Sequence, residues 1–255
     1  MLDSKRMPSI SAPECNVCGG TGWRPSAESG AKGPLEPCEC RERARIDRMI
    51  ESAGIPTKYQ VCDFNNFLCD WEGARNDSLY AAVKFANRYL DEYPTAARGL
   101  LFLGPPGAGK THLMVALIRK LCEKGHDALF LDYQELLRQI QNSYNPAAHT
   151  REYELLRPVL SSAVVAIDDL GNNRISDWVE DTVTYIVNHR YNENLPTLFT
   201  ANLSEERMDG PAGHRVTQPT FEERLGPRVA SRLREMCRFV EMRAGDYRRF
   251  KSGAR

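Results

Sequence analysis

Eight consecutive residues, Gly104-Pro105-Pro106-Gly107-Ala108-Gly109-Lys110-Thr111, satisfy G-x-x-x-x-G-K-[ST], the pattern of a phosphate-binding loop. Each residue type has a reason. Glycines let the backbone turn tightly and bring N–H groups close to phosphate oxygens. The helix expected to start at the loop turns its positive dipole end toward the same anion. Lys110 adds a full charge at the β and γ phosphates, and the Thr111 hydroxyl is suited to ligate Mg²⁺. The nucleotide-binding stretch is read as Gly104, Pro105, Pro106, Gly107, Ala108, Gly109, Lys110, Thr111 and His112.

Further along, Val164-Val165-Ala166-Ile167 leads into Asp168 and Asp169. In a parallel sheet, ligands gather at the carboxyl ends of strands, so these acids belong beside the phosphate loop. Asp168 is suited to hold Mg²⁺ and Asp169 to polarise an attacking water. The second acid is one methylene shorter than a glutamate, which points to slow, switch-like hydrolysis. Thr200-Ala201-Asn202 closes another apolar run, and an amide there can bond both the γ-phosphate and the water. Arg228 and Arg232 lie four apart and share one helix face. An arginine on that face can reach the γ-phosphate of a neighbouring subunit, although a solvated basic helix explains the spacing equally well.

A second chemistry sits near the N-terminus. Cys15, Cys18, Cys38 and Cys40 cluster within a segment too short and polar for a core of its own. A tetrahedral Zn²⁺ would hold it together. The C-x₂-C half is followed by glycines, as in a zinc knuckle, whereas the C-x-C half is tighter than usual. An iron–sulfur cluster and unligated thiols remain the alternatives. Cys62, Cys69, Cys122 and Cys237 are scattered and read as packing residues.

The elements that must position these groups follow from periodicity. Apolar runs at 99–103, 128–132, 163–167, 196–201 and 237–242 read as strands. Helical stretches at 110–123, 133–143, 151–160 and 177–191 separate the first four. Alternation of this kind gives an α/β fold with a five-stranded parallel sheet covered on both faces. A loop over 209–219 and one basic helix over 220–236 precede the last run. Upstream, a helix is expected over 41–53, its charged face either solvated or turned to a partner. Residues 55–67 read as a linker with aromatic anchors. A helix over 78–92 is expected to take Asp77 or Ser78 as its N-cap. The organisation is therefore a cysteine module with its helix at 1–54, a leader at its start and a loop at 24–37, then a core at 55–243 and a charged tail at 244–255.

The 255 residues are 42% hydrophobic, enough for a substantial core, and carry no net charge, which removes any global pull toward nucleic acid or membrane. Charge is uneven: from Arg224 to Arg255 there are ten Lys/Arg against three Asp/Glu. No run approaches a membrane span, and the N-terminus lacks the apolar core of a signal peptide, so a cytoplasmic location with reduced thiols is expected.

Taken in order and spacing, Gly104–Thr111, Ile167-Asp168-Asp169, Thr200-Ala201-Asn202 and Arg228-Val229-Ala230-Ser231-Arg232-Leu233 resemble the AAA+ ATPases of the DnaC/IstB type. The resemblance covers roughly residues 55–243. It implies the AAA+ P-loop core with no clear C-terminal helical lid. Asn202 matches the first sensor and Arg232 the arginine finger, with Arg228 the second choice. It further implies a loader that brings a replicative hexameric helicase to single-stranded DNA. ATP would set its self-association and its grip on DNA, and the N-terminal module would contact the helicase. Single-strand contacts are implied at Tyr144, Arg174, Ser176 and Trp178, although Tyr144 and Trp178 also suit a core. An IstB-type transposition helper acting on duplex DNA uses nearly the same core. A small-molecule kinase shares the loop, yet no stretch offers an acceptor pocket or mobile lid.

Overall fold

The computed structural model describes residues 15–26, 33–95, 98–145, 151–172, 176–203 and 220–253. It divides into two units, residues 1–51 and 52–255. In the first, β1 (Trp23–Pro25) and β2 (Leu35–Pro37) pair antiparallel, and α1 (Glu39–Ser52) follows. These strands lie in the segment read as a loop. Three residues are too few to carry a periodicity, and the pairing is made by the backbone. The leader at 1–12 lies outside the described residues.

In the second unit the apolar runs become β3 (Gly99–Leu103), β4 (Ala128–Asp132), β5 (Val164–Asp168), β6 (Thr197–Ala201) and β7 (Cys237–Glu241). They form one parallel sheet in the order β4-β5-β6-β3-β7. The pattern of burial follows from that order. Every residue of β3, β5 and β6 is buried, as expected for interior parallel strands covered on both faces. The edge strands β4 and β7 are only partly buried and carry the polar side chains Asp132, Arg238 and Glu241.

Successive strand residues face opposite sides of a sheet. Leu101, Val165 and Phe199 join one buried cluster with Ile140, Ile186 and Leu233. That cluster is supplied by α4 (Tyr133–Ser143), α5 (Glu152–Ser161), α6 (Asp177–Asn192), α7 (Phe221–Leu225) and α8 (Pro227–Met236). The other face is covered by α2 (Asp77–Glu92) and α3 (Lys110–Glu123). Within the first cluster's layer, Arg190 is only 1% exposed. It donates to Val159 O (2.8 Å), Ser162 O (3.0 Å), Pro196 O (2.9 Å) and Thr197 Oγ1 (2.8 Å). It thereby ties the end of α5 and the start of β6 to α6, and it satisfies carbonyls that burial would otherwise leave unpaired.

The structure differs from two of the sequence expectations. The N-cap of α2 is Asn76, whose side chain accepts from Leu79 N at 3.2 Å while its amide donates to Arg243 O at 2.8 Å. The single basic helix over 220–236 is two helices. Proline excludes its preceding residue from the helical region, and Gly226 turns the chain at φ 79°. Within the charged tail, Tyr247–Gly253 forms α9. The loop at 209–219 lies outside the described residues.

Candidate functional site

The phosphate loop leaves the end of β3 and enters α3 at Lys110. Gly107 and Gly109 take φ of 82° and 95°, backbone that other residues adopt only with strain. Crowding adds to the demand. A Cβ on Gly109 would stand 2.7 Å from the Phe67 ring, and one on Gly107 would stand 2.0 Å from the Asp246 carboxylate.

Lys110 is 4% exposed. Its Nζ donates to Gly104 O (2.9 Å), Pro105 O (2.8 Å) and Asn202 Oδ1 (2.7 Å). Burial brings its pKa down to about 8, against the opposing pull of Asp169 and Asp168. Asn202 in turn donates through Nδ2 to Asp169 Oδ1 at 2.8 Å. The loop lysine, the strand-end amide and the second acid thus form one chain of hydrogen bonds.

Asp168 takes a different place. Its Oδ1 accepts from Thr111 Oγ1 (2.9 Å) and Thr200 Oγ1 (2.5 Å). Burial pushes its carboxyl up to about 6 and Asp169 adds to this, while the two hydroxyl bonds work the other way. Asp169 sits at φ 58° with its N–H on Thr200 Oγ1 at 2.9 Å. That left-handed turn directs it into the cavity that Asp168 does not line.

The cavity holds about 390 Å³. Lys110, Thr111, Asp169 and Asn202 line it, together with the apolar side chains of Tyr59, Phe67, Leu68 and Trp71. A space lined by both charged groups and aromatics suits a nucleotide, which brings a polyphosphate and a base together. His112 also lines it, with Nε2 2.8 Å from Asn66 Oδ1 and 3.0 Å from Asp63 O. Two acceptors on one nitrogen assign the proton to Nε2. Burial lowers the pKa of this histidine, against the opposing pull of Asp63, and so favours its neutral form. It therefore fastens the aromatic linker to the phosphate helix. Gly104 and Pro105 contribute carbonyls to Lys110 and do not line the cavity, whereas Pro106 and Ala108 do.

A family model described as IstB-like ATP binding protein matches residues 39–252. The chain belongs to that family. Among its relatives, the replicative helicase loader DnaC of Escherichia coli (strain K12) is 26% identical over 172 residues, 68% of either chain. The replicative helicase loader DnaI of Bacillus subtilis (strain 168) is 26% identical over 184 residues, 71% of this chain and 58% of that protein. The crystal structure of the DnaC helicase loader matches with a TM-score of 0.60 at 28% identity, covering 73% of this chain and 99% of that one. The α/β core with its five-stranded parallel sheet is thus that of a DnaC-like AAA+ ATP-binding protein.

The remaining candidate residues of this IstB-like protein lie elsewhere. Arg228 and Arg232 line a groove with Thr184, Asn188 and Ser231, and neither lines the cavity at the phosphate loop. The Arg232 guanidinium stands 4.8 Å over the Tyr191 ring. Tyr144 and Trp178 come together, with ring centroids 6.3 Å apart and the indole N–H 3.4 Å from the Tyr144 hydroxyl. Tyr144 is 53% exposed, while Trp178 packs partly on the core. Ser176 caps α6, its hydroxyl accepting from Val179 N at 3.3 Å. Arg174 lies outside the described residues.

In the N-terminal unit, the sulfurs of Cys15, Cys18, Cys38 and Cys40 all lie within 4.8 Å of one another. Sulfurs about 2.3 Å from a tetrahedral zinc stand roughly 3.8 Å apart. Here Cys15 and Cys38 are 3.8 Å apart, and Cys18 and Cys40 3.4 Å. Gly22 N donates to Cys18 Sγ at 3.3 Å, the support a knuckle thiolate needs. The tight C-x-C half is accommodated because Cys40 begins in α1 while Cys38 ends the hairpin, its N–H on Gly22 O at 2.9 Å. Four thiolates are a donor set that fits zinc, whose contribution would be a structural cross-link.

Sequence reasoning did not assign the cavity walls. The linker aromatics were legible as anchors, but nothing local told what they anchor. Thr200, which bonds both acids' segment and the Asp168 carboxylate, was quoted only as part of its motif.

Proposed function

We propose that this protein is an ATP-switched helicase loader, which binds a replicative hexameric helicase and single-stranded DNA and hydrolyses ATP slowly. The observation that carries the reading is the chain Lys110–Asn202–Asp169. It links the phosphate loop to the acid that lines the cavity, so a γ-phosphate would be felt at both. Likeness to DnaC and DnaI supplies the class of partner.

In this reading Lys110 binds the β and γ phosphates. Thr111 and Asp168, hard oxygen donors already in contact, would hold Mg²⁺, which neutralises phosphate charge when bound. Asp169 takes up the proton side of the attacking water, and Asn202 orients that water. Arg232, with Arg228 beside it, reaches the γ-phosphate of a second copy, since both lie away from their own chain's cavity. The four cysteines hold one zinc. Elemental analysis of the purified chain should find about one zinc atom per chain, and a zinc-free, fully folded N-terminal unit would sink that assignment.

Tyr144 and Trp178 are the stacking platform for single-stranded bases. Tyr144→Ala should weaken single-strand binding by about 1–3 kcal/mol per stacked base, read by anisotropy at fixed salt. An unchanged affinity would remove Tyr144 from the interface. The family match favours one second reading, a transposition helper that acts on duplex DNA. Tighter binding of duplex than of single strand in ATP would select it.

A further inference from the structure

The nucleotide cavity has a wall from the far end of the chain. Beyond β7, Met242 N donates to Leu103 O at 2.8 Å, and Tyr247 N donates to Gly107 O at 3.2 Å. The Asp246 carboxylate lies against Gly107 so closely that any side chain there would displace it. This strap is also fixed by Trp71, Glu72 and the first turn of α2. Gly245 N donates to Glu72 Oε1 at 2.9 Å, and Arg243 N donates to Ser78 Oγ at 2.9 Å. The Trp71 ring packs on Tyr247 and Phe250, with centroids 5.5 and 5.4 Å apart. A charged segment is thus held down by backbone and aromatic contacts.

One of those charges enters the site. Arg248 lines the same cavity as Lys110, Thr111 and Asp169. Its Nε donates to Asp246 Oδ1 at 3.0 Å, which draws an otherwise exposed guanidinium toward the phosphate loop that Asp246 touches. Its positive charge is one of the influences that lower the pKa of Lys110, so the two cations act on the same space. Asp246 offsets part of the Arg248 charge, and only Nε is used in that contact, so the guanidinium keeps further N–H donors for an anion in the cavity. A guanidinium matches a phosphate in shape and hydrogen-bond geometry.

We propose that Arg248 contacts the polyphosphate of the nucleotide bound in its own chain, with Asp246 as its positioning residue. The inference rests on reading the cavity as the ATP site. It makes the C-terminal strap part of that site: phosphate holds Arg248, and Arg248 holds the strap against the loop.

The experiment is calorimetric titration of the full chain with ATP, ADP and adenosine, for wild type, Arg248→Ala, Arg248→Lys and Asp246→Asn. Arg248→Ala should weaken ATP by roughly tenfold or more, the loss of one charge-assisted phosphate bond, with adenosine unchanged. Arg248→Lys should recover part of the loss, and Asp246→Asn should fall between wild type and Arg248→Ala. Equal weakening of ATP and adenosine would overturn the proposal and leave Arg248 as a strut of the strap. Unchanged ATP affinity in Arg248→Ala would overturn it as well. A folded wild-type chain that binds no nucleotide would instead overturn the reading of the cavity itself.

Discussion

Lys110→Ala should abolish ATP turnover while leaving the fold in place. The ammonium is buried and held by two loop carbonyls and Asn202, so it is preorganised beside the phosphates. Groups of this kind are worth about 100- to 1,000-fold in kcat, because they need no reorganisation as charge develops. Alanine also breaks the link to Asn202, and through it to Asp169. The check is paired. Phosphate release should fall to background, and the rise in Tm that ATP confers on the wild type should disappear, with the nucleotide-free Tm changed little. Turnover within tenfold of wild type would mean that the loop is not the hydrolytic site.

Arg232→Ala should cost about 1,000-fold in turnover yet leave ATP affinity within a factor of two, as for a finger supplied between subunits. The geometry separates the two effects. Arg232 lies in the groove beside α6 and α8 over Tyr191, outside its own chain's cavity. Mixing Arg232→Ala with Lys110→Ala chains gives the cleaner test. Neither turns over alone, but a mixed assembly puts an intact Arg232 beside an intact ATP site, so activity should return in part. Loss of ATP binding in Arg232→Ala alone would assign the residue to its own chain's site, and no recovery in the mixture would argue against action between subunits.

Much of this site could be read from the sequence because its parts are local. The loop, the acid pair and the strand-end amide each occupy consecutive residues, and interior parallel strands announce themselves as unbroken apolar runs. The cavity walls could not be read in that way. Phe67, Trp71 and Tyr247 meet around the phosphate loop from opposite ends of the core, and no local pattern encodes such a meeting. The stretch after residue 244 was legible only as a charged tail, because composition counts Arg248 and Asp246 as charge and nothing more. What fixes the stretch is a backbone bond to Gly107 and a tryptophan some 170 residues earlier. Arg190 is the converse case. A guanidinium ordinarily belongs at the surface, yet four hydrogen bonds, three of them to main-chain carbonyls, offset its full burial. Asn76 was passed over as a cap because Asp77 and Ser78 are equally good caps by type. The choice was made by Arg243 O, which bonds Asn76 from the other end of the unit.

The central claim is that ATP sets the grip on a single strand. Its most direct test is the anisotropy of a labelled single-stranded oligonucleotide, titrated with the full chain in ATP, in ADP and without nucleotide, at one stated salt concentration. The account predicts tight binding in ATP, at least tenfold weaker binding in the other two states, and loss of the ATP effect in Lys110→Ala. Equal affinity in all three states, or no binding in any, would contradict it.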